Sequence, residues 1–437
     1  MRLYIDCSHV DFARQATGIP RVVLHYIEQG YLWSARTGVE VVPVVTTPAG
    51  LMPVRPMPGT RRPPYLDRFD DSAIETDAAP LLAMATHYLQ SALVAANVAP
   101  PVERCAAAIR DAYQGLVSDA HLRPLEVAAG DVLFCPAYWH DVDPRLFRAV
   151  QRLGARVVTL VHDILPVTLP QFYEAPWKHQ FEANLLAAMC QSDALLAVSN
   201  YTADSMREFG ERRGLGVVEV GVAHNGYAPL VSDDMARRMD TEGFAPQLRS
   251  GARYQMLREE QPYLMVGSVE PKKGHIPVIA SFEALWMAGL KRPLVIVGRK
   301  GWLEKSVVQT IRQSPFYNDR LLWFEDMDDV DLFYAYRHAR ALVFSSYAEG
   351  FGIPMVEAAG AGCPVIAYDT PISREVLGRS GQFFCDFLGL ANHIRSHEEA
   401  SGFAAARTAI AHFSWPVWGD AVPALFDGLI ARFASDV

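Results

Sequence analysis

The most constraining stretch of this chain is Glu349 to Pro364, EGFGIPMVEAAGAGCP. It follows an apolar, strand-like run, Ala341 to Phe344, and a short loop, Ser345 to Ala348. Gly352 then permits a turn, and Pro354 sits where a helix tolerates proline, in its first turn. The helix is short and rich in small residues. It stops at Gly362, Pro364 cannot continue it, and a second apolar run starts at once. Strand, loop, helix, strand in this order is the crossover unit of a parallel α/β sheet, with glycine letting the backbone approach something closely.

The stretch also carries chemistry. A helix N-terminus presents unpaired N–H groups and a partial positive charge, and anions bind there. Glu349 in the loop and Glu357 in the helix flank that end. A carboxylate repels a phosphate, so two of them suit hydroxyl recognition on either side of one. The other reading is that both glutamates cap the helix or face solvent.

In full, E-G-F-G-I-P-M-V-E-A-A-G-A-G-C-P-V-I-A resembles the E-x7-E signature of the retaining glycosyltransferases of family GT4. This is the family related to phosphatidylinositol mannosyltransferases and sucrose synthases. The resemblance implies a GT-B architecture: two Rossmann-like parallel-sheet domains facing across a cleft, within the α/β class. It extends over residues 2 to 45 and 130 to 430.

Length and charge agree with that outline. A chain of 437 residues predicts two domains, and 50% hydrophobic residues supply two cores. The formal charge of -9 argues against a general nucleic-acid binder. Of six cysteines, none in a C-x-x-C pair, several sit in apolar runs and read as buried thiols of a reducing compartment. Met1-Arg2 leads straight into a strand, so no signal peptide is expected, and no apolar run reaches the length of a membrane span. The expected location is the cytoplasm, with peripheral contact at the inner face of the cell membrane where the acceptor is lipid-linked.

Periodicity predicts strands at 2–5, 39–46, 131–135, 156–161, 194–198 and 217–220 in a first domain, residues 1–245. An insertion at about 48–125 interrupts it. Residues 48–80, proline-rich, are expected to be irregular, and 81–118 helical. This insertion would form an acceptor rim or an interface, or simply pack. A polar linker is expected over 228–260. The second domain, 260–412, carries strands at 263–266, 293–297, 321–324, 341–344, 364–367 and near 383–387. A last helix, within 413–437, is expected to cross back onto the first domain.

The remaining site residues come from loops at strand ends. Thr17-Gly18-Ile19-Pro20-Arg21 follows the first strand. It is an ordinary turn or, as in the family, a glycine loop facing the cleft, with Gly18 and Arg21 near donor or acceptor. Val161-His162-Asp163 ends an apolar strand. The pair is either a local hydrogen-bonded couple or, by resemblance, a sugar-contacting His162 with Asp163 on the acceptor side. Val266-Gly267-Ser268 leads to Pro271-Lys272-Lys273-Gly274. Lysines beside a glycine loop can neutralise a diphosphate, and equally can be solvated surface. By resemblance Lys273 binds the leaving diphosphate and Lys272 is the second basic residue, because Ser268 stands where many members carry arginine. Phe324 and Met327 are placed at the nucleobase. Gly350, Phe351, Gly352 and Ile353 lie at the helix N-terminus against the donor. By the same resemblance Glu349 would hold the sugar and Glu357 the ribose.

The resemblance implies a hexose transferase. The donor is a nucleotide-diphosphate sugar, and the V-H-D-x-x-P form points to GDP-mannose or a deoxyhexose. The acceptor is a saccharide or lipid-linked saccharide in surface-polysaccharide synthesis. No cofactor and no metal are expected: Asp141-Val142-Asp143 has D-x-D spacing but no matched partner. The alternatives are a GT-B sugar-nucleotide epimerase, a phosphorylase (which would need pyridoxal phosphate), and a non-catalytic nucleotide-sugar-binding scaffold in an assembly complex.

Overall fold

In the computed structural model, the described residues are 1–8, 18–47, 50–53, 125–137, 139–142, 144–239 and 251–434. Most of the predicted insertion, together with Thr17, Tyr138 and Asp143, lies outside them.

Two sheets organise the chain. The first contains β1 (Arg2–Asp6), β2 (Glu40–Thr47), β3 (Gly50–Pro53), β4 (Val132–Cys135), β5 (Arg156–Val161), β6 (Ala194–Ala197) and β7 (Gly221–Val222). Its order is β3-β2-β1-β4-β5-β6-β7, parallel except for β3. The second contains β8 (Tyr263–Val266), β9 (Leu294–Val297), β10 (Leu321–Phe324), β11 (Ala341–Phe344), β12 (Val365–Tyr368) and β13 (Gln382–Phe384). Its order is β10-β9-β8-β11-β12-β13, all parallel. Continuous burial along β4, β6, β9 and β11 explains their unbroken apolar sequences, since helices cover both faces of a parallel sheet. In each sheet the order reverses at the centre, β1 beside β4 and β8 beside β11. The crevices at these switch points are where open α/β sheets bind ligands.

The final helix, Trp418–Ala434, returns to the first sheet. Trp33 Nε1 donates to Asp427 at 2.8 Å, and Phe426 packs edge-on to both Trp33 and Phe134. Trp418 stacks on His25, and Trp415 donates to the Asn225 carbonyl. Both tryptophans therefore join the lobes by packing.

Three local expectations are corrected. Residues 50–53 are not irregular: they pair antiparallel with the end of β2. The strand expected at 217–220 is instead Gly221–Val222, because only there does the chain come into register with β6. The linker is not featureless, since Asp233–Met239 and Gly251–Glu260 are helices. Tyr254 and Leu257 of the second are buried, an amphipathic signal hidden among charges. Near the end of the second lobe the helices Phe387–Glu398 and Ala400–Ile410 are separated at Glu399, which is extended at φ -80°, ψ 138°. Among the described cysteines, Cys7, Cys135 and Cys363 are buried, whereas Cys190 and Cys385 are exposed. No helix among the described residues is long and apolar enough to cross a membrane.

Candidate active site

The cleft between the sheets holds a cavity of about 500 Å³. One wall is built by the central stretch. Gly352 adopts φ 90°, a left-handed conformation suited to glycine, and the helix Ile353–Gly360 starts immediately after it with Pro354 in its first turn. Its N-terminus opens into the cavity, together with Glu349, Gly350 and Phe351. The helix starts where the Gly352 turn and Pro354 predict it, and Glu357 lies on its buried face.

Glu349 is paired with Lys273. A single tight turn, Pro271–Lys273, sets the lysine, and Gly274 ends it with φ 71°. The Lys273 ammonium donates to Glu349 Oε1. The Ser345 hydroxyl donates to the Lys273 carbonyl at 2.7 Å, tying the turn to the end of β11. Burial alone would push the Glu349 carboxyl up. The Lys273 and Lys272 ammoniums outweigh it and hold the group below the ordinary carboxylate range. Glu349 is thus an anion held by two cations.

The opposite wall comes from the first lobe. His162 and Asp163 follow β5 and both face the cavity. His162 Nε2 lies 2.6 Å from the Pro136 carbonyl. That acceptor requires the proton on Nε2 and leaves Nδ1 as the ring's lone-pair atom. Burial lowers the His162 pKa, only partly opposed by that carbonyl, so the ring is neutral. Asp163 accepts from the Leu165 N–H at 3.0 Å, capping the short turn that begins there. Gly18 and Arg21 also line the cleft.

The lobes meet through polar contacts as well. Arg21 of the first lobe bridges Glu357, at 3.0 Å, and Asp329 of the second. Glu357 is pushed up to about 6, chiefly by burial; Asp329 adds to this, while Arg21 and Tyr336 oppose it. Folding therefore takes up a proton at Glu357. The resulting stabilisation is complete below the ordinary value of 4.5 and is lost as pH rises through about 6. The expected loss is about 2 kcal/mol, read as a fall in urea-unfolding free energy across that window. Glu357→Gln should remove it, and an unchanged slope would contradict the assignment. Glu375, on the helix Pro371–Leu377 after β12, ties the second lobe to the first. It accepts from the Asn200 and Tyr201 backbone N–H groups at 2.7 and 3.0 Å and pairs with His224.

Of the residues singled out in the sequence, two lie elsewhere. Lys272 points away from the cavity toward Glu270, 3.8 Å away, and the Tyr173 ring. Burial there would lower its pKa, but Glu349, Tyr173, Asp163 and Glu270 hold it up. Phe324 lies under the Arg253 guanidinium, 4.2 Å from its ring centre, while Met327 does line the cavity. Ser268 lines it too, with its hydroxyl donating to Glu270 at 2.8 Å. The sequence reading missed Arg299, Lys300, Glu325, Asp329 and Asn225, all on the wall. Asn225 is buried with an amide oxygen that no described group satisfies. Its sequence signal is the H-N-G turn after β7; Arg299 and Lys300 follow β9 at a strand end, where ligands are expected.

Two parallel-sheet lobes closing on such a cleft constitute a GT-B architecture. Residues 255–396 match the family model described as Glycosyl transferases group 1. The chain is 29% identical over 267 residues to the serotype-specific mannosyltransferase WbdA of Escherichia coli, covering 60% of this chain and 32% of that protein. It thus spans about a third of the length of that relative. Among solved structures, Anabaena Alr3699/HepE in complex with UDP and glucose superposes with a TM-score of 0.58 at 15% identity, over 100% of both chains. The α,α-trehalose 6-phosphate synthase of Burkholderia multivorans does so with a TM-score of 0.61 at 12% identity, over 100% of this chain and 99% of the other. At these identities the structural likeness concerns the fold.

Proposed function

We propose that this protein is a retaining glycosyltransferase of the GT4 type that moves a hexose from a nucleotide-diphosphate sugar to a saccharide or lipid-linked saccharide acceptor. The observation that carries the reading is the Lys273–Glu349 pair at the N-terminus of the helix Ile353–Gly360, inside an inter-lobe cavity. Its second support is the likeness to a mannosyltransferase, which favours mannose as the hexose and GDP-mannose as the donor.

In this reading the donor's diphosphate sits at the helix N-terminus, where the N–H groups and Lys273 favour the negative charge that grows as the glycosidic bond breaks. Glu357 accepts from the ribose hydroxyls. Glu349, anionic and held by two lysines, accepts from hydroxyls of the hexose and fixes its ring. His162, neutral, offers Nδ1 as a further acceptor on the sugar. The acceptor enters from the side of Asp163. The leaving phosphate takes the proton of the attacking hydroxyl on the same face of the sugar, so the anomeric configuration is kept. The positive groups come from the chain itself, so diphosphate binding is expected to be independent of magnesium.

The test is turnover of a panel of nucleotide sugars, GDP-mannose first, with a mannose-terminated oligosaccharide acceptor, followed by proton NMR of the new linkage. One donor should be consumed, with an α-linked product from an α-linked donor. A β-linked product would overturn the retaining assignment. Donor binding without turnover would favour the scaffold reading.

A further inference from the structure

A diphosphate carries more than one negative charge, and the cavity wall already contains Asp163, Glu325, Asp329, Glu349 and Glu357. Of the four lysine and arginine side chains that line it, two are committed. Arg21 is tied to Glu357 and Asp329, and Lys273 to Glu349. Ser268, at the loop after β8, is uncharged and donates its hydroxyl to Glu270. Arg299 and Lys300 line the same cavity, are exposed, and have no ion-pair partner among the described residues.

Sheet register determines which of the two stands nearest that loop. β8 and β9 are parallel neighbours with Val266 opposite Val297. Beyond the strand ends the same register persists, because Val269 forms a bridge with Lys300. The Val269 N–H donates to the Arg299 carbonyl at 2.8 Å, and the Gly301 N–H to the Val269 carbonyl at 3.0 Å. Counting back one residue on each strand sets Arg299 opposite Ser268. Paired residues on neighbouring strands put their side chains on one face, about 5 Å apart. Gly298 makes the approach possible: a Cβ there would stand 1.9 Å from the Gly267 carbonyl oxygen. Lys300 lies further out, where it also lines a groove with Glu304 and Lys305.

We infer that Arg299 is the second cationic contact to the donor's diphosphate, delivered from β9 across the register position of Ser268. The inference rests on the nucleotide-sugar reading. Arg299 offers a planar fork that can hold two phosphate oxygens at once, complementing the point charge of Lys273.

The experiment compares calorimetric binding of GDP, UDP and the matching nucleosides to wild type, Arg299→Ala, Lys300→Ala and the double variant Ser268→Arg/Arg299→Ala. Arg299→Ala should weaken the bound diphosphate roughly ten- to a hundredfold and leave the nucleoside unchanged. Lys300→Ala should change either by about threefold or less. The double variant, with a guanidinium restored one strand away, should regain much of the diphosphate affinity. Undiminished diphosphate binding by Arg299→Ala, or an equal loss for diphosphate and nucleoside, would overturn the inference while leaving the transferase reading standing. Wild-type protein that ignores both diphosphates would overturn the two together.

Discussion

Lys273→Ala is expected to lower kcat/KM for sugar transfer by about 10²–10³-fold, with most of the loss in kcat. The ammonium is positioned by its surroundings: the turn Pro271–Lys273 fixes the backbone, and Ser345 holds its carbonyl. Two consequences follow from removing it. The departing diphosphate loses a preorganised charge, and Glu349 keeps only the Lys272 ammonium against the burial that pushes its carboxyl up. The Glu349 pKa therefore rises, and the pH profile of kcat should shift its acidic limb upward. Lys273→Arg should rescue little, because the bulkier fork does not fit the bond to Glu349. Steady-state kinetics across pH check the split. A variant with wild-type kcat and only a raised KM would mean that Lys273 binds substrate without assisting departure.

Gly350→Ala is the second large effect. A Cβ at this position would stand 1.8 Å from the His162 carbonyl oxygen and 3.0 Å from Asp163 Cβ. No side chain tolerates the first distance, and the obstacle is backbone. The Gly350 carbonyl meanwhile accepts from the Ser199 hydroxyl at 2.7 Å, so the loop is tied to the first lobe from the other side. One methyl group therefore prevents the lobes from reaching this separation. Transfer should fall by at least about a hundredfold, since a displacement of roughly 1 Å between reacting groups already costs that much. Nucleotide binding, which the proposed function places largely on the second lobe, should fall far less. Kinetics beside nucleotide titration measure the difference, and small-angle scattering should report a larger radius of gyration. Wild-type kinetics in Gly350→Ala would mean that catalysis does not need this contact.

The sequence was most legible where local rules and tertiary packing agree. The runs at 156–161, 263–266, 321–324 and 341–344 are apolar, short and bounded by turn residues, and each is a strand with those limits. The stretch from Glu349 to Pro364 declares its turn, its helix start and its stop in consecutive residues. It was least legible where a side chain's direction depends on a neighbour far along the chain. Lys272 and Lys273 are adjacent lysines before a glycine, and only the single turn they share sends one into the cavity and the other toward Glu270. Phe324 ends an apolar strand like many pocket residues, yet Arg253, from a helix hidden in a charged linker, covers its ring. Arg21 could be placed in a cleft-facing loop, but its two carboxylate partners are more than 300 residues away, and no spacing in the sequence announces them. Arg299 was passed over because its meaning lies in the register between β8 and β9.

In the proposed function the inter-lobe cleft is a diphosphate site built from Lys273 and a helix N-terminus. Its most direct test is a calorimetric titration with GDP, UDP, dTDP and ADP, first without and then with magnesium. One nucleotide should be preferred, GDP before the others, with an affinity that magnesium leaves essentially unchanged and that Lys273→Ala weakens. Binding of none of the four, or binding that appears only with magnesium and ignores Lys273, would contradict it.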